Sequence, residues 1–204
     1  MFQTYGKAFC ALIVAASFAL PVHQSAYAQD DPFAIEPIWE NSTTEEAVVH
    51  SKSGMVFPEI LGGFQLNKNE ANDDEGDSVS VVYTGGTEQK FVEAIVSLQL
   101  GETRPLEQCF KVSSVAFGLR NGNVKPYKTA NIKIPTNDGE GLRGKAAAYR
   151  LPKSEGDGVE DTRLYMFKIG TVLVKIKTRH PDGYAEGSAM IHNDLLKSMN
   201  WTGG

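Results

Sequence analysis

Cysteine and histidine are scarce in this chain, and most catalytic and metal-binding motifs are built on them. Its 204 residues hold two cysteines and four histidines. Cys10 falls in an apolar N-terminal run and Cys109 stands alone, so no disulfide framework is expected within the folded part. His180 and His192 are too far apart in sequence for a helical metal pair, which needs a spacing of three or four. The G-x-S-x-G elbow, the Walker loop, H-E-x-x-H, the dinucleotide fingerprint and C-x-x-C are all missing, which removes the commonest enzyme classes. No cofactor is expected. Basic charge is also short: 20 Lys and Arg stand against 25 Asp and Glu, a net charge of −5. That balance favours solubility and argues against nucleic acid or an anionic membrane as the main partner. The one long apolar run, Ala8 to Leu20, is shorter than the about 20 residues of a membrane-spanning helix.

What is present begins with that run. Lys7 precedes it and Ala26-Tyr27-Ala28 closes it, the small-x-small pattern that a signal peptidase accepts. Residues 1–28 are therefore expected to be a cleaved export signal, with the cut after Ala28. The mature protein is then periplasmic or secreted, with no membrane insertion. Residues 29–54 are acidic, with scattered apolar positions, and are expected to form an arm or linker. Ser42 and Glu45 have capping-box spacing, which allows a short helix over residues 45–50.

From residue 55 to 204 the pattern predicts a single α+β domain. "VFPEILGGFQL" reads as a first strand, "NKNEANDDEGD" as a polar acidic loop and "SVSVVYTG" as a second strand. In "KFVEAIVSLQL" the period-two row Val92, Ala94, Val96, Leu98 and Leu100 marks one firmly buried face. A helix follows from about Arg104 to Leu119, with Pro105 in its first turn. Leu106, Cys109, Phe110, Ser113, Ala116 and Phe117 share one side of it. Val112, Val115 and Leu119 widen the apolar surface, so the helix is expected to be largely buried. Strands resume over residues 124–134, where Pro126 suggests a sheet edge, and over 141–151. "TRLYMFKIGTVLVKIKTRH" reads as two strands joined at Ile169-Gly170. A closing helix is expected from about Asp182 to Asn200. The order βββαββββα is satisfied by an antiparallel sheet packed by two helices.

The residues that invite a chemical reading each have a structural one. His192 projects onto the apolar face of the closing helix with Ile191, Leu195 and Met199, which suits a core or boundary histidine. His180 ends a strand, and Asp182 suits a helix N-cap. Cys109 lies on the apolar side of a helix, where a thiol is inert. The acidic loop fails as an EF-hand, because Ala71 and Val82 fall where the first and twelfth ligands should be acidic. A looser calcium site from Asp73, Asp74, Glu75 and Asp77 is the alternative to a solvated turn. Lys175, Lys177 and Arg179 alternate along one strand, opposite Val172, Val174 and Ile176. They form the one clear basic stripe, either an ordinary solvent face or a docking surface.

The element order, carried by "FPEILGGFQL", "LYMFKIGTVLVKIKTRHP" and the closing helix that ends "MNW", resembles the PsbP/Mog1-like α/β/α sandwich found among exported bacterial proteins. That resemblance covers roughly residues 55–201. It implies an antiparallel sheet with helices on its faces, and a binding or assembly role rather than catalysis. The expected function is therefore an exported, non-catalytic binding or accessory protein of the cell envelope. It would dock a protein partner or small anionic ligand through Lys175, Lys177 and Arg179. The alternative is a hydrolase-like envelope enzyme using His180 or His192 with a nearby carboxylate.

Overall fold

A computed structural model describes residues 37–43, 46–61, 63–86, 92–135, 141–153 and 157–181. In chain order these hold β1 (Trp39–Asn41), β2 (Ala47–His50), β3 (Met55–Pro58), β4 (Ile60–Leu61), β5 (Phe64–Ala71), β6 (Ser78–Gly85) and β7 (Val92–Gln99). The helix α1 (Leu106–Arg120) follows, then β8 (Lys128–Ile134), β9 (Leu142–Pro152), β10 (Val159–Ile169) and β11 (Val172–Pro181). All belong to one compact unit. The α+β class holds in its coarse form: mostly antiparallel sheet, with one helix among the described residues. The expected export signal, residues 29–36 of the arm, and the closing helix with Asp182 and His192 lie outside the described residues.

Alternation builds the large sheet. Val92, Ala94, Val96 and Leu98 are all buried, as their period-two spacing requires, and β7 lies at the centre of the order β4-β5-β6-β7-β11-β10-β9-β8. Each fully buried Val or Leu of that row contributes about 1.5–3 kcal/mol of transfer free energy. Every neighbouring pair in this eight-stranded sheet is antiparallel. β8 occupies one edge, as Pro126 suggests. The turn at Gly170, with φ of 55°, joins β10 to β11. The acidic loop is shorter than its composition suggests, because β5 runs on to Ala71 with a register shift between Leu66 and Lys68.

The sheet has a core on each side. On one, Val79, Val81, Tyr83, Val174, Ile176, Tyr165 and Phe167 pack with Met55 and Phe57. On the other, Tyr149, Leu151, Leu164, Met166 and Leu173 pack with Cys109 and Phe110 of α1. Consecutive residues such as Leu164 and Tyr165 go to opposite cores, as the pleat demands.

Residues 39–41 and 47–50, expected within an arm with an optional short helix, instead form β1 and β2, which with β3 make a three-stranded sheet of order β1-β2-β3. Glu40 and Glu46, the acidic side chains described there, are exposed. Met55 and Phe57 anchor this small sheet in the core. His50, fully buried, ties it to the β5–β6 turn: Nε2 lies 2.9 Å from the Gly76 carbonyl and Nδ1 lies 2.8 Å from Ser53 Oγ. A carbonyl oxygen only accepts, so Nε2 carries the proton and Nδ1 accepts from the Ser53 hydroxyl. Ser53 Oγ in turn accepts the Met55 N–H at 3.3 Å. Tyr83 donates its hydroxyl to the Pro58 carbonyl at 2.9 Å, a second tie between the sheets.

The expected burial of α1 is corrected by the structure. Only Cys109, Phe110 and Gly118 are fully buried, while Val112, Val115 and Leu119 are 51%, 56% and 63% exposed. The helix lies on the sheet by one side, and its apolar outer crest faces solvent.

Candidate functional site

The beginning of α1 is held by a compact polar clamp. Glu102 is buried and accepts from Arg104 three times: from its backbone N–H and Nε at 2.9 Å, and from Nη2 at 2.5 Å. The guanidinium bonds hold the Glu102 carboxyl down at about 2. The Glu102 N–H donates to the Thr171 carbonyl at 2.8 Å, and Lys168 Nζ donates to the Arg104 carbonyl at 2.7 Å. Midway along the helix Ser114 Oγ lies 2.5 Å from the Tyr149 hydroxyl, and the Phe117 and Tyr149 rings stand 4.5 Å apart. At its far end Gly118 lies against the chain at Val124. A Cβ there would come within 2.3 Å of the Val124 carbonyl oxygen. Glu107 in the first turn and Arg120 in the last match the helix dipole.

Anchored this way, α1 leaves a cleft of about 310 Å³ between itself and the strands β7, β10 and β11. Its floor is apolar, from Ile95, Leu164, Ala116 and Phe117, with the Ser97 and Ser113 hydroxyls beside them. Three cations line it: Lys175 and Lys177 from β11 and Arg120 from the last turn of α1. Lys175 and Lys177 stand opposite Ser97 and Ile95 in the β7 register. Lys175 is half-buried, and burial pushes its pKa down, with the nearby Arg120 adding to the effect. Among the described residues no carboxylate forms an ion pair with any of the three. With Lys175 half-buried and like charges beside it, this group is arranged to receive an anion.

The structure separates the expected basic stripe. Lys175 and Lys177 enter the cleft, whereas Arg179 pairs with Glu160 at 3.4 Å and stands opposite Glu93 on β7. Arg120 was not singled out from sequence. Its only sequence signal is the spacing of one helical turn from Ala116, on the same side of α1 as Ser113. His180 is buried on the opposite face, in register with Asp161 of β10, away from the cleft. Cys109 is buried, and burial pushes its thiol upward, with the Glu102 carboxylate adding to it. Sequence reasoning missed His50 and Ser53. Their contact resembles a nucleophile and base, yet both side chains are enclosed and engaged in structural hydrogen bonds. Among the described residues no three His, Cys, Asp or Glu side chains gather as a metal site, and the 73–77 turn is no exception. No protein-family model matches the chain, and no curated protein matches it.

Proposed function

We propose that this is an exported, non-catalytic binding protein whose working element is the cleft between α1 and β11. It holds the anionic group of a small ligand or of a protein partner, and it acts in the periplasm or after secretion. The one observation that supports this most directly is the convergence of Lys175, Lys177 and Arg120 on an apolar cleft with no carboxylate paired to them among the described residues. Keeping three cations together there costs stability, and a bound anion would relieve that cost. The resemblance to the PsbP/Mog1-like sandwich, whose members act mostly in binding or assembly, points the same way.

The test is titration with anilinonaphthalene sulfonate, an apolar anion whose fluorescence rises on binding. The wild type should bind it at one site. Lys175→Gln/Lys177→Gln should weaken that binding about tenfold or more, because each charge-assisted hydrogen bond is worth about 1.5–3 kcal/mol. Equal affinity in the two proteins would show that the cleft is not the binding site.

A further inference from the structure

The crest of α1 and the ground on its other flank are not used by the cleft. Val115 and Leu119, with Val112 at the cleft rim, recur at the spacing that places them on one stripe of the helix, and all three are more than half exposed. On the far flank a second open depression, of about 490 Å³, lies beside the first turn of α1. Lys133 of β8 and Arg143 of β9 stand opposite each other in register there, next to Asn131 and Lys145. Lys145 pairs with Glu107, but Lys133 and Arg143 form no ion pair among the described residues. The helix side thus presents an apolar ridge with unpaired cations in a trough on each side.

We propose that this side of the protein docks on the surface of an anionic lipid bilayer, with α1 parallel to it. Val115 and Leu119 would enter the headgroup boundary, and lipid phosphates would meet the cations in both troughs. The convex ridge is the deciding observation. A folded protein partner would need a groove for the ridge and an acidic wall on each side of it. Lipid headgroups are small and mobile, so they fill both troughs and admit the ridge without preformed complementarity. Among the described residues no helix is long and apolar enough to cross a membrane, so the contact is a surface one. The net charge of −5 argues against an anionic membrane for the chain as a whole, but it acts only weakly at this face. A charged surface is felt only over a Debye length, about 8 Å at physiological salt. Asp73, Asp74, Glu75 and Asp77 belong to the β5–β6 turn, where His50 and Lys52 of the small sheet bind, on the other side of the sheet from α1.

The proposal rests on the cleft reading in one respect: the anionic group held by Lys175 and Lys177 is then a lipid phosphate. The experiment keeps the two apart. Purified protein is sedimented with vesicles of phosphatidylcholine alone, and with vesicles that also contain phosphatidylglycerol. It should pellet with the second kind only and be released by added salt. Val115→Ser/Leu119→Ser and, separately, Lys133→Gln/Arg143→Gln should each lower the bound fraction, by about tenfold in partition coefficient. Neither pair lines the cleft, so both variants should bind anilinonaphthalene sulfonate like the wild type, which also shows that they are folded. The lipid proposal is overturned if the wild type stays in the supernatant with phosphatidylglycerol vesicles, as a protein that docks only on an acidic protein would. It is equally overturned if both variants pellet like the wild type. Either result beside intact probe binding leaves the cleft reading standing. Vesicle binding combined with probe binding that is insensitive to Lys175 and Lys177 removes the cleft reading instead.

Discussion

Lys175→Met should make the protein more stable and less able to bind. Lys175 lies between Ser97 of β7 and Met166 of β10, half-buried, beside the like-charged Arg120 and without a paired carboxylate among the described residues. Methionine keeps the length of the side chain and removes the charge, so it retains the packing against α1 and ends both the desolvation cost and the repulsion. A fully buried ion carries a penalty of several kcal/mol. Partial exposure and solvent screening reduce this, and about 1 kcal/mol is the expected gain. In a chain of this size that corresponds to a rise of about 2–4 °C in Tm. The pH dependence makes the test specific. Lys175 has a lower pKa in the folded protein than its ordinary value of 10.5, so the unfolded chain holds more protons in the interval between the two. Wild-type stability attributable to this group therefore rises with pH through that interval. The advantage of the variant should be full at neutral pH and should vanish above 10.5. Urea unfolding followed by tryptophan fluorescence, at neutral pH and above 10.5, measures both. A variant equal to or weaker than the wild type at neutral pH would refute the view of Lys175 as an uncompensated charge, as would a gap that persists at high pH.

Three further outcomes are expected. Burial pushes His50 below its ordinary 6.5, so the neutral ring is favoured in the fold. Its contribution is full above 6.5 and is lost as pH falls below that value toward the folded-state pKa. His50→Asn should flatten this part of a thermal-melting profile taken from neutral to about pH 5. Gly118→Ala should destabilise by about 1–3 kcal/mol in urea unfolding, because the clash with the Val124 carbonyl outweighs alanine's helix preference of about 1 kcal/mol. Cys109 should react with a thiol reagent only after denaturant opens the helix–sheet core, and fast labelling of the native protein would contradict its enclosure.

Legibility from sequence followed the strength of the local pattern. β7 could be read because its buried row depends on alternation alone, and the helix and the Gly170 turn because Pro105 and Gly170 mark their ends. The small sheet could not. Ser42 and Glu45 suggest a helix cap, while the strands form because Met55 and Phe57 and the His50 tie supply distant partners that no local window contains. The exposure of α1 was missed for a different reason. Apolar side chains are necessary for burial but do not guarantee it, and Val112, Val115 and Leu119 stay more than half exposed. Two of the three cleft cations were legible through the alternation of β11. Arg120 was not, because its place depends on how α1 crosses the sheet.

The order of the large sheet also decides how the chain can assemble. Strands β4 to β7 form one meander and β8 to β11 another, each zippered from neighbours in sequence, and the one backbone pairing between the two, among the described residues, is β7 with β11. The first rung of that seam brings Gln99 to Leu173, which costs roughly 4 kcal/mol of loop-closure entropy before any contact repays it. Assembly therefore waits for the last strand, and seam closure is the natural slow step. By the same logic a nick in the connection between α1 and β8 would leave two locally ordered halves that meet along the β7–β11 seam, beneath α1 and in the core on the other face, the arrangement that lets fragments recombine into a whole.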